Sequence, residues 1–273
     1  MNTRETVDSP NFSIIMPGPC QGKCAFCFWE REQALPAKGY LTRLKETLGN
    51  LPGQFWKCSI TGGEPTMSPV LFEVLKMVRK RFAKVVFTTN GGPVKGGLNL
   101  ISRHEIGDRV AQFIDFLNIS RHHFDDRKNS AIFGTKMMPI INIPAAINRF
   151  NKAGVPVTAN CVLGHPSSMD IYDYMFRMRS AGFSSICFRK PHVEGCDLLP
   201  TQQESMFRDY KVIEHSECPV CRSDTQLIRG MNVIWTASIP EPMDGMDGVV
   251  YEAVFHPDGK LTADWSKNIE IEL

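Results

Sequence analysis

The chain is 273 residues long and 42% hydrophobic, and its 31 Lys and Arg nearly balance 29 Asp and Glu. A length of this order supports one sizeable core, as in single-domain barrels, while a net charge of +2 excludes a broad electrostatic footprint for nucleic acid. Residues 1–13 are polar and are no signal peptide, no apolar run is long enough to span a bilayer, and nine cysteines without an export signal read as reduced or metal-bound thiols in a cytoplasm.

Residues 13–16 form a short apolar run stopped by Pro17-Gly18-Pro19, which predicts a first buried strand feeding a loop. The loop carries Cys20, Cys24 and Cys27, three thiols within eight residues at Cys-x3-Cys-x2-Cys spacing. Three cysteines this close cannot pair among themselves without strain and would leave one over. Structural zinc takes four protein ligands, and no fourth cysteine or histidine lies nearby in sequence. A cubane iron–sulfur cluster commonly takes four cysteines, so three leave one iron open to a small molecule.

Helical spacing over 41–51 precedes a second strand over 55–60, which ends in Thr61-Gly62-Gly63-Glu64-Pro65-Thr66. Paired glycines let a ligand approach the backbone, and a carboxylate beside them can receive an ammonium group. Residues 70–82 are amphipathic and predict a helix ending in Arg79-Lys80-Arg81, where cations suit the macrodipole. Residues 84–92 predict a β-branched strand ending in Thr88-Thr89-Asn90-Gly91-Gly92. Its short polar groups suit ribose hydroxyls or an ordinary Asn-Gly turn.

A fourth strand over 114–120 ends at Ser120 and runs into Arg121-His122-His123. The helix over 143–153 is closed by Gly154, the fifth strand runs over 155–163, the helix over 171–181 is closed by Gly182, and the sixth strand runs over 185–192. Six such alternations predict a parallel sheet with right-handed crossovers, curled into a partial (β/α)6 TIM-like barrel. In that architecture the carboxyl ends of the strands build the active site, and the cysteine loop follows one of them. Cys58, Cys161 and Cys187 fall within strands and read as buried core thiols.

The three-cysteine spacing, with the aromatic Phe26 just before the third cysteine, resembles the signature of the radical S-adenosylmethionine (radical SAM) superfamily, and Gly62-Gly63-Glu64-Pro65 resembles its GGEP motif. The resemblance covers roughly residues 12–192. It implies a [4Fe-4S] cluster on Cys20, Cys24 and Cys27 whose fourth iron chelates the amino and carboxylate groups of SAM, and reductive cleavage to methionine and a 5′-deoxyadenosyl radical. It also implies that the backbone and Glu64 of the GGEP motif meet the SAM amino group. Thr89 and Asn90 are cofactor-binding candidates, Ser120 is similar to a serine that contacts SAM, and Asn160 resembles the polar residue set against SAM on the fifth strand. Arg189 either holds the SAM carboxylate through a bidentate pair or is a plain surface charge. Glycyl-radical activating enzymes carry Asp-x-Lys where this chain has Asn118-Ile119-Ser120, which counts against that subfamily.

The chain divides, on this reading, into a polar tail over 1–11, a partial barrel over 12–199, and a C-terminal α+β extension over 200–273 that caps the barrel's open side. The extension predicts a helix over 201–214, strand segments over 227–238 and 249–256, and a tight Pro257-Asp258-Gly259 turn returning over 261–265. Cys218 and Cys221 have the spacing of a metal knuckle, with Cys196 and His215 as the nearest partners. An additional cluster or zinc, a reduced structural pair and a redox dithiol remain the alternatives there. Substrate-facing candidates at the barrel mouth are His122, His123, His165, His192, Glu194, Trp235, Asp264 and Trp265.

The sequence therefore predicts a cytoplasmic radical SAM enzyme, of lyase or oxidoreductase type, that abstracts hydrogen from a small polar metabolite such as a nucleoside, nucleobase or amino-acid-like molecule. Elimination, rearrangement or redox change follows, and an electron donor such as flavodoxin or ferredoxin is implied. The alternatives are a peptide-modifying maturase that relies on a separate recognition partner and a non-catalytic iron–sulfur or SAM-binding protein.

Overall fold

A computed structural model describes residues 5–27, 36–51, 57–92, 104–163, 170–189, 210–215, 223–236, 249–265 and 269–271. Apolar residues at every second strand position and on one stripe of each helix dictate the layering. The strands are β1 (Glu5–Met16), β2 (Lys57–Gly62), β3 (Lys84–Thr89), β4 (Phe116–Ser120), β5 (Val157–Val162), β6 (Ser185–Arg189), β7 (Val212–His215), β8 (Asp224–Ile228), β9 (Met231–Thr236), β10 (Val249–Phe255) and β11 (Leu261–Thr262). The helices are α1 (Ala37–Asn50), α2 (Leu71–Arg81), α3 (His104–Ala111), α4 (Asp126–Phe133), α5 (Ile143–Lys152) and α6 (Ile171–Ser180).

Among the described residues, one curled, open sheet runs in the order β11-β10-β1-β2-β3-β4-β5-β6-β9-β8-β7. Every pair from β10 through β1 to β6 and on to β9 is parallel, and the edge pairs β10–β11, β9–β8 and β8–β7 are antiparallel. The predicted parallel half-barrel is present, and strands from the C-terminal extension lengthen it at both edges.

Three expectations change. β1 begins at Glu5, inside the stretch read as a polar tail, and pairs there with β10. The end of the predicted 201–214 helix, from residue 212, instead belongs to β7, because pairing with β8 outweighs local helical spacing. The predicted 227–238 strand instead contains a hairpin of β8 and β9, turned by Arg229 and Gly230, both at positive φ. The boundary at 199/200 lies outside the described residues.

The core lies between the helices and one face of the sheet. Phe12, Ile14, Ile60, Val85, Phe87, Leu117, Ala159, Ile186 and Phe255 are buried against Tyr40, Leu44, Val74, Val78, Ile147, Phe150 and Tyr174. Each large apolar side chain fully buried this way contributes roughly 1.5–3 kcal/mol. Strand alternation then turns Ser13, Ser59, Thr61, Thr88, Asn118, Ser120, Thr158, Asn160, Ser185 and Arg189 to the opposite, concave face. Hydrophobic interleaving thus fixes the register of the polar residues as well. Cys58 and Cys161 are fully buried in the helix-side core, as expected. Cys187 is buried too, yet it belongs to the concave face, where its Sγ lies 3.5 Å from Thr236 Oγ1.

Candidate functional site: a thiol loop at the strand ends

Met16 and Gly62 are register partners at the ends of β1 and β2. Gly62 has φ 135°, and a Cβ there would lie 2.7 Å from Met16 N, so only glycine permits this approach. The turn after it stays against the cysteine loop through the bond from Glu64 N to Pro19 O, 3.3 Å.

Glu64 is 3% exposed, and its carboxylate accepts four bonds. Oε1 receives Thr66 N at 3.0 Å, Thr66 Oγ1 at 2.7 Å and Thr89 Oγ1 at 2.6 Å, while Oε2 receives Asn90 N at 2.8 Å. Burial pushes its pKa above the ordinary carboxylate value, opposed by these donors. Glu64 is thereby a clamp joining the ends of β2 and β3. Asn90, buried beside it, accepts from Gln21 Nε2 at 2.9 Å and from Gly92 N at 3.0 Å, and its amide nitrogen lies 3.8 Å from Cys20 Sγ. Gly63 is a partly exposed bend between Gly62 and Glu64.

Cys20 and Cys24 are half-buried and Cys27 is exposed; none of the three is in a disulfide. Gly22 N donates to Cys20 Sγ at 3.3 Å, and a Cβ at Gly22 would stand 3.4 Å from Cys20 Sγ and 3.7 Å from Cys24 Sγ. Burial, then the neighbouring Cys27 and Cys20, push the Cys24 thiol up to about 12. A bare thiolate is disfavoured among three such groups, and a bound cationic centre reverses that balance. Among the described residues no three His, Cys, Asp or Glu side chains converge on a single ion position. A cubane distributes its thiolates over separate irons, and three cysteines carried on one loop are a donor set of that kind. The donor set therefore fits a cluster with three cysteine ligands.

The far side of the loop rests on α4. Lys23 N donates to Phe133 O at 2.7 Å. His122 stacks on Phe133 with centroids 4.7 Å apart and meets Phe26 edge-on at 4.9 Å. His122 Nδ1 accepts Val162 N at 3.1 Å, which ties the stack to β5. Arg121, 2% exposed, holds the same turn: its guanidinium donates to Met138 O, Phe124 O and Asp126, and its carbonyl accepts the Tyr174 hydroxyl.

Ser120 is the register partner of Asn160, and Asn160 of Cys187. Arg189 Nε donates to Asn160 Oδ1 at 3.3 Å. Glu64, Thr89, Asn90, Ser120, Asn160 and Arg189 thus follow one another along the carboxyl ends of β2 to β6, on neighbouring strands.

The other sequence candidates are scattered. His123 Nδ1 accepts Asp125 N at 2.9 Å in a local turn. Trp235 is aligned with Phe188 and packs against the helix-side core, away from the concave face; one step of strand alternation accounts for the correction. Asp264 is buried beside β11, where it accepts Ile269 N at 3.3 Å and closes a turn, so it too leaves the mouth. Trp265 donates to Glu252 Oε2 at 3.1 Å, and Glu252 Oε1 accepts from the Ser13 hydroxyl. His165, His192, Glu194, Cys196, Cys218 and Cys221 lie outside the described residues. His215 is exposed on β7, its Nδ1 2.8 Å from Asp224 Oδ1. Gln21, Arg121 and Phe133 were not singled out from the sequence; as single residues within a loop, a strand end and a helix they carry no motif.

Three thiols on one strand-end loop stand beside a glycine-lined turn and a row of polar strand ends. The family model of the radical SAM superfamily matches residues 14–177, and the chain belongs to that superfamily, whose members are enzymes using a [4Fe-4S] cluster and SAM. The chain is 29% identical over 155 residues to a probable GTP 3′,8-cyclase of Thermoplasma volcanium, covering 55% of this chain and 44% of that protein. It is 32% identical over 114 residues to the antilisterial bacteriocin subtilosin biosynthesis protein AlbA of Bacillus subtilis, covering 41% of this chain and 25% of that protein. The matches therefore span less than half the length of these curated relatives. Among solved structures, Streptococcus suis SuiB bound to S-adenosylmethionine superposes with a TM-score of 0.64 at 16% identity, covering 97% of this chain and 63% of that one; the likeness is one of fold. No helix among the described residues is long and apolar enough to cross a membrane.

Proposed function

We propose that the chain reductively cleaves SAM at a [4Fe-4S] cluster held by Cys20, Cys24 and Cys27, and that the 5′-deoxyadenosyl radical so formed abstracts hydrogen from a small polar metabolite. The observation that carries this reading is the joining of the thiol loop to the GGEP turn through Pro19, Glu64, Asn90 and Cys20. The backbone of Gly62 and Gly63 receives the SAM amino group. Glu64 acts one step back: with the buried Thr89 hydroxyl it fixes the turn at Asn90, whose side chain meets the ribose. Ser120 and Asn160 continue the cradle, and Arg189 offers a guanidinium fork to the SAM carboxylate. An electron donor of the flavodoxin or ferredoxin kind supplies the reductant, and the C-terminal extension borders the substrate space.

A second reading, modification of a peptide, is favoured by the likeness to AlbA over 114 residues; the cyclase relative favours the small molecule. Anaerobic reconstitution, followed by dithionite and SAM, decides the activity: 5′-deoxyadenosine is expected, and its absence from protein with an intact cluster would falsify the proposal. Cys24→Ala is expected to abolish both the cluster absorbance and SAM cleavage while the far-ultraviolet circular dichroism stays unchanged. Retained cleavage would refute the ligand assignment. Turnover of a precursor peptide, with none of a nucleoside triphosphate, would select the second reading.

A further inference from the structure

One row of the concave face is uncharged and polar across five neighbouring strands. Thr88, Asn118, Thr158, Ser185 and Asn232 are successive register partners on β3, β4, β5, β6 and β9. Their chain neighbours Phe87, Leu117, Ile119, Val157, Ala159, Ile186, Met231 and Val233 are buried in the helix-side core, so strand alternation turns all five inward. Asn118 Nδ2 donates to Thr88 Oγ1 at 3.3 Å, and the Thr158 and Ser185 hydroxyls lie 2.6 Å apart.

The interior of a parallel barrel is ordinarily filled by bulky branched side chains. Along this row small hydroxyls and amides take their place. Thr88, Asn118 and Ser185 are half-buried and Asn232 is exposed, so the row faces accessible space. A hydroxyl has one donor and two acceptor positions and an amide has four in all; one bond each within the two pairs leaves the row with capacity for a ligand. Same-face cations stand four residues away on either side, Lys84 below Thr88 and Arg189 above Ser185, roughly 13 Å along a strand. Lys84 Nζ lies 5.8 Å from the Phe116 ring centroid and Arg189 donates to Asn160. The inward carboxylate of Glu252 is held at the sheet edge by Ser13 and Trp265.

We infer that this row is the substrate subsite for an uncharged group bearing several hydroxyl or amide functions, such as a sugar or an amide edge, rather than for a carboxylate, phosphate or ammonium. Asn118 and Thr158 lie two residues, about 7 Å, below Ser120 and Asn160, so a group seated there stands beneath the residues assigned to SAM. The inference rests on the activity proposed above and names the chemistry of its substrate.

The test uses the reconstituted full chain and saturation-transfer NMR with four probes: guanosine, N-acetylglycinamide, acetate and phosphate. Two variants each remove both partners of one bond, Thr158→Val with Ser185→Ala and Thr88→Val with Asn118→Leu, so that neither leaves an orphaned group. Guanosine or N-acetylglycinamide is expected to receive saturation, with each pair variant weakening binding at least ten-fold while circular dichroism and melting temperature stay close to those of the unsubstituted chain. Preference between these two probes separates a sugar-bearing from a peptide-like source. Absence of transfer to both neutral probes, transfer that survives both variants, or equal transfer to acetate or phosphate overturns the assignment. SAM cleavage is measured separately on the unsubstituted chain, so its failure refutes the activity without touching the binding result.

Discussion

The two faces of the same strands obey opposite chemistry. On the helix side, Ile60, Phe87, Leu117, Ala159 and Phe188 interlock with α1 to α6 and exclude water. One residue along each strand, the concave face carries hydroxyls, amides and Arg189 and stays partly open. The contrast separates stability from recognition: the outer face holds the sheet curled, and the inner face can vary in chemistry at little cost to the fold. Replacements chosen one position apart on a strand test that separation directly.

The largest loss of stability is expected on the outer face. Phe87 is fully buried in the helix-side core, so Phe87→Ala should cost about 4 kcal/mol through lost transfer energy and a residual cavity. Denaturant unfolding measures the loss, and SAM cleavage per folded molecule should persist. Loss of cleavage in fully folded Phe87→Ala protein would break the separation of roles.

Glu64 sits where the faces meet at the rim, and its replacement should show both effects. In Glu64→Gln one acceptor oxygen must serve four donors, and the new amide N–H opposes either Asn90 N or the Thr66 and Thr89 donors. A buried conflict of this kind costs about 2 kcal/mol. SAM affinity, read by calorimetry on the reconstituted protein, should fall with it, because Asn90 loses its anchor. A stable variant with undiminished SAM affinity would mean that Glu64 clamps nothing that SAM needs.

The parallel half-barrel and the thiol loop were legible in sequence for a physical reason: both are local patterns. Alternating apolar residues between glycine and proline stops mark strands, and Cys20, Cys24 and Cys27 are within eight residues of each other. The clamp at Glu64 was legible as a motif, but its partners Thr89 and Asn90 are 25 and 26 residues away, and only strand register brings them together. The concave row is scattered from Thr88 to Asn232 and has no linear signature, although its period-two alternation with apolar neighbours was present on every strand. In the extension the strand segments that became β9, β10 and β11 were legible, whereas the end of the predicted 201–214 helix misled because β7 owes its state to pairing with β8, and no local propensity encodes such a partner or the distant pairing of β10 with β1.

The smallest expected effect lies at a residue the sequence placed at the mouth. Trp235 precedes the inward Thr236 by one position, and its ring packs with the helix-side core beside Phe188. Trp235→Phe conserves an aromatic packing group at a partly buried site, so the loss of stability should stay under about 1.5 kcal/mol, as for volume-similar core exchanges. SAM cleavage and binding of guanosine or N-acetylglycinamide should be unchanged. A ten-fold loss of either, without a matching loss of stability, would put this indole on the concave side and undo the alternation by which every inward residue of β9 is assigned.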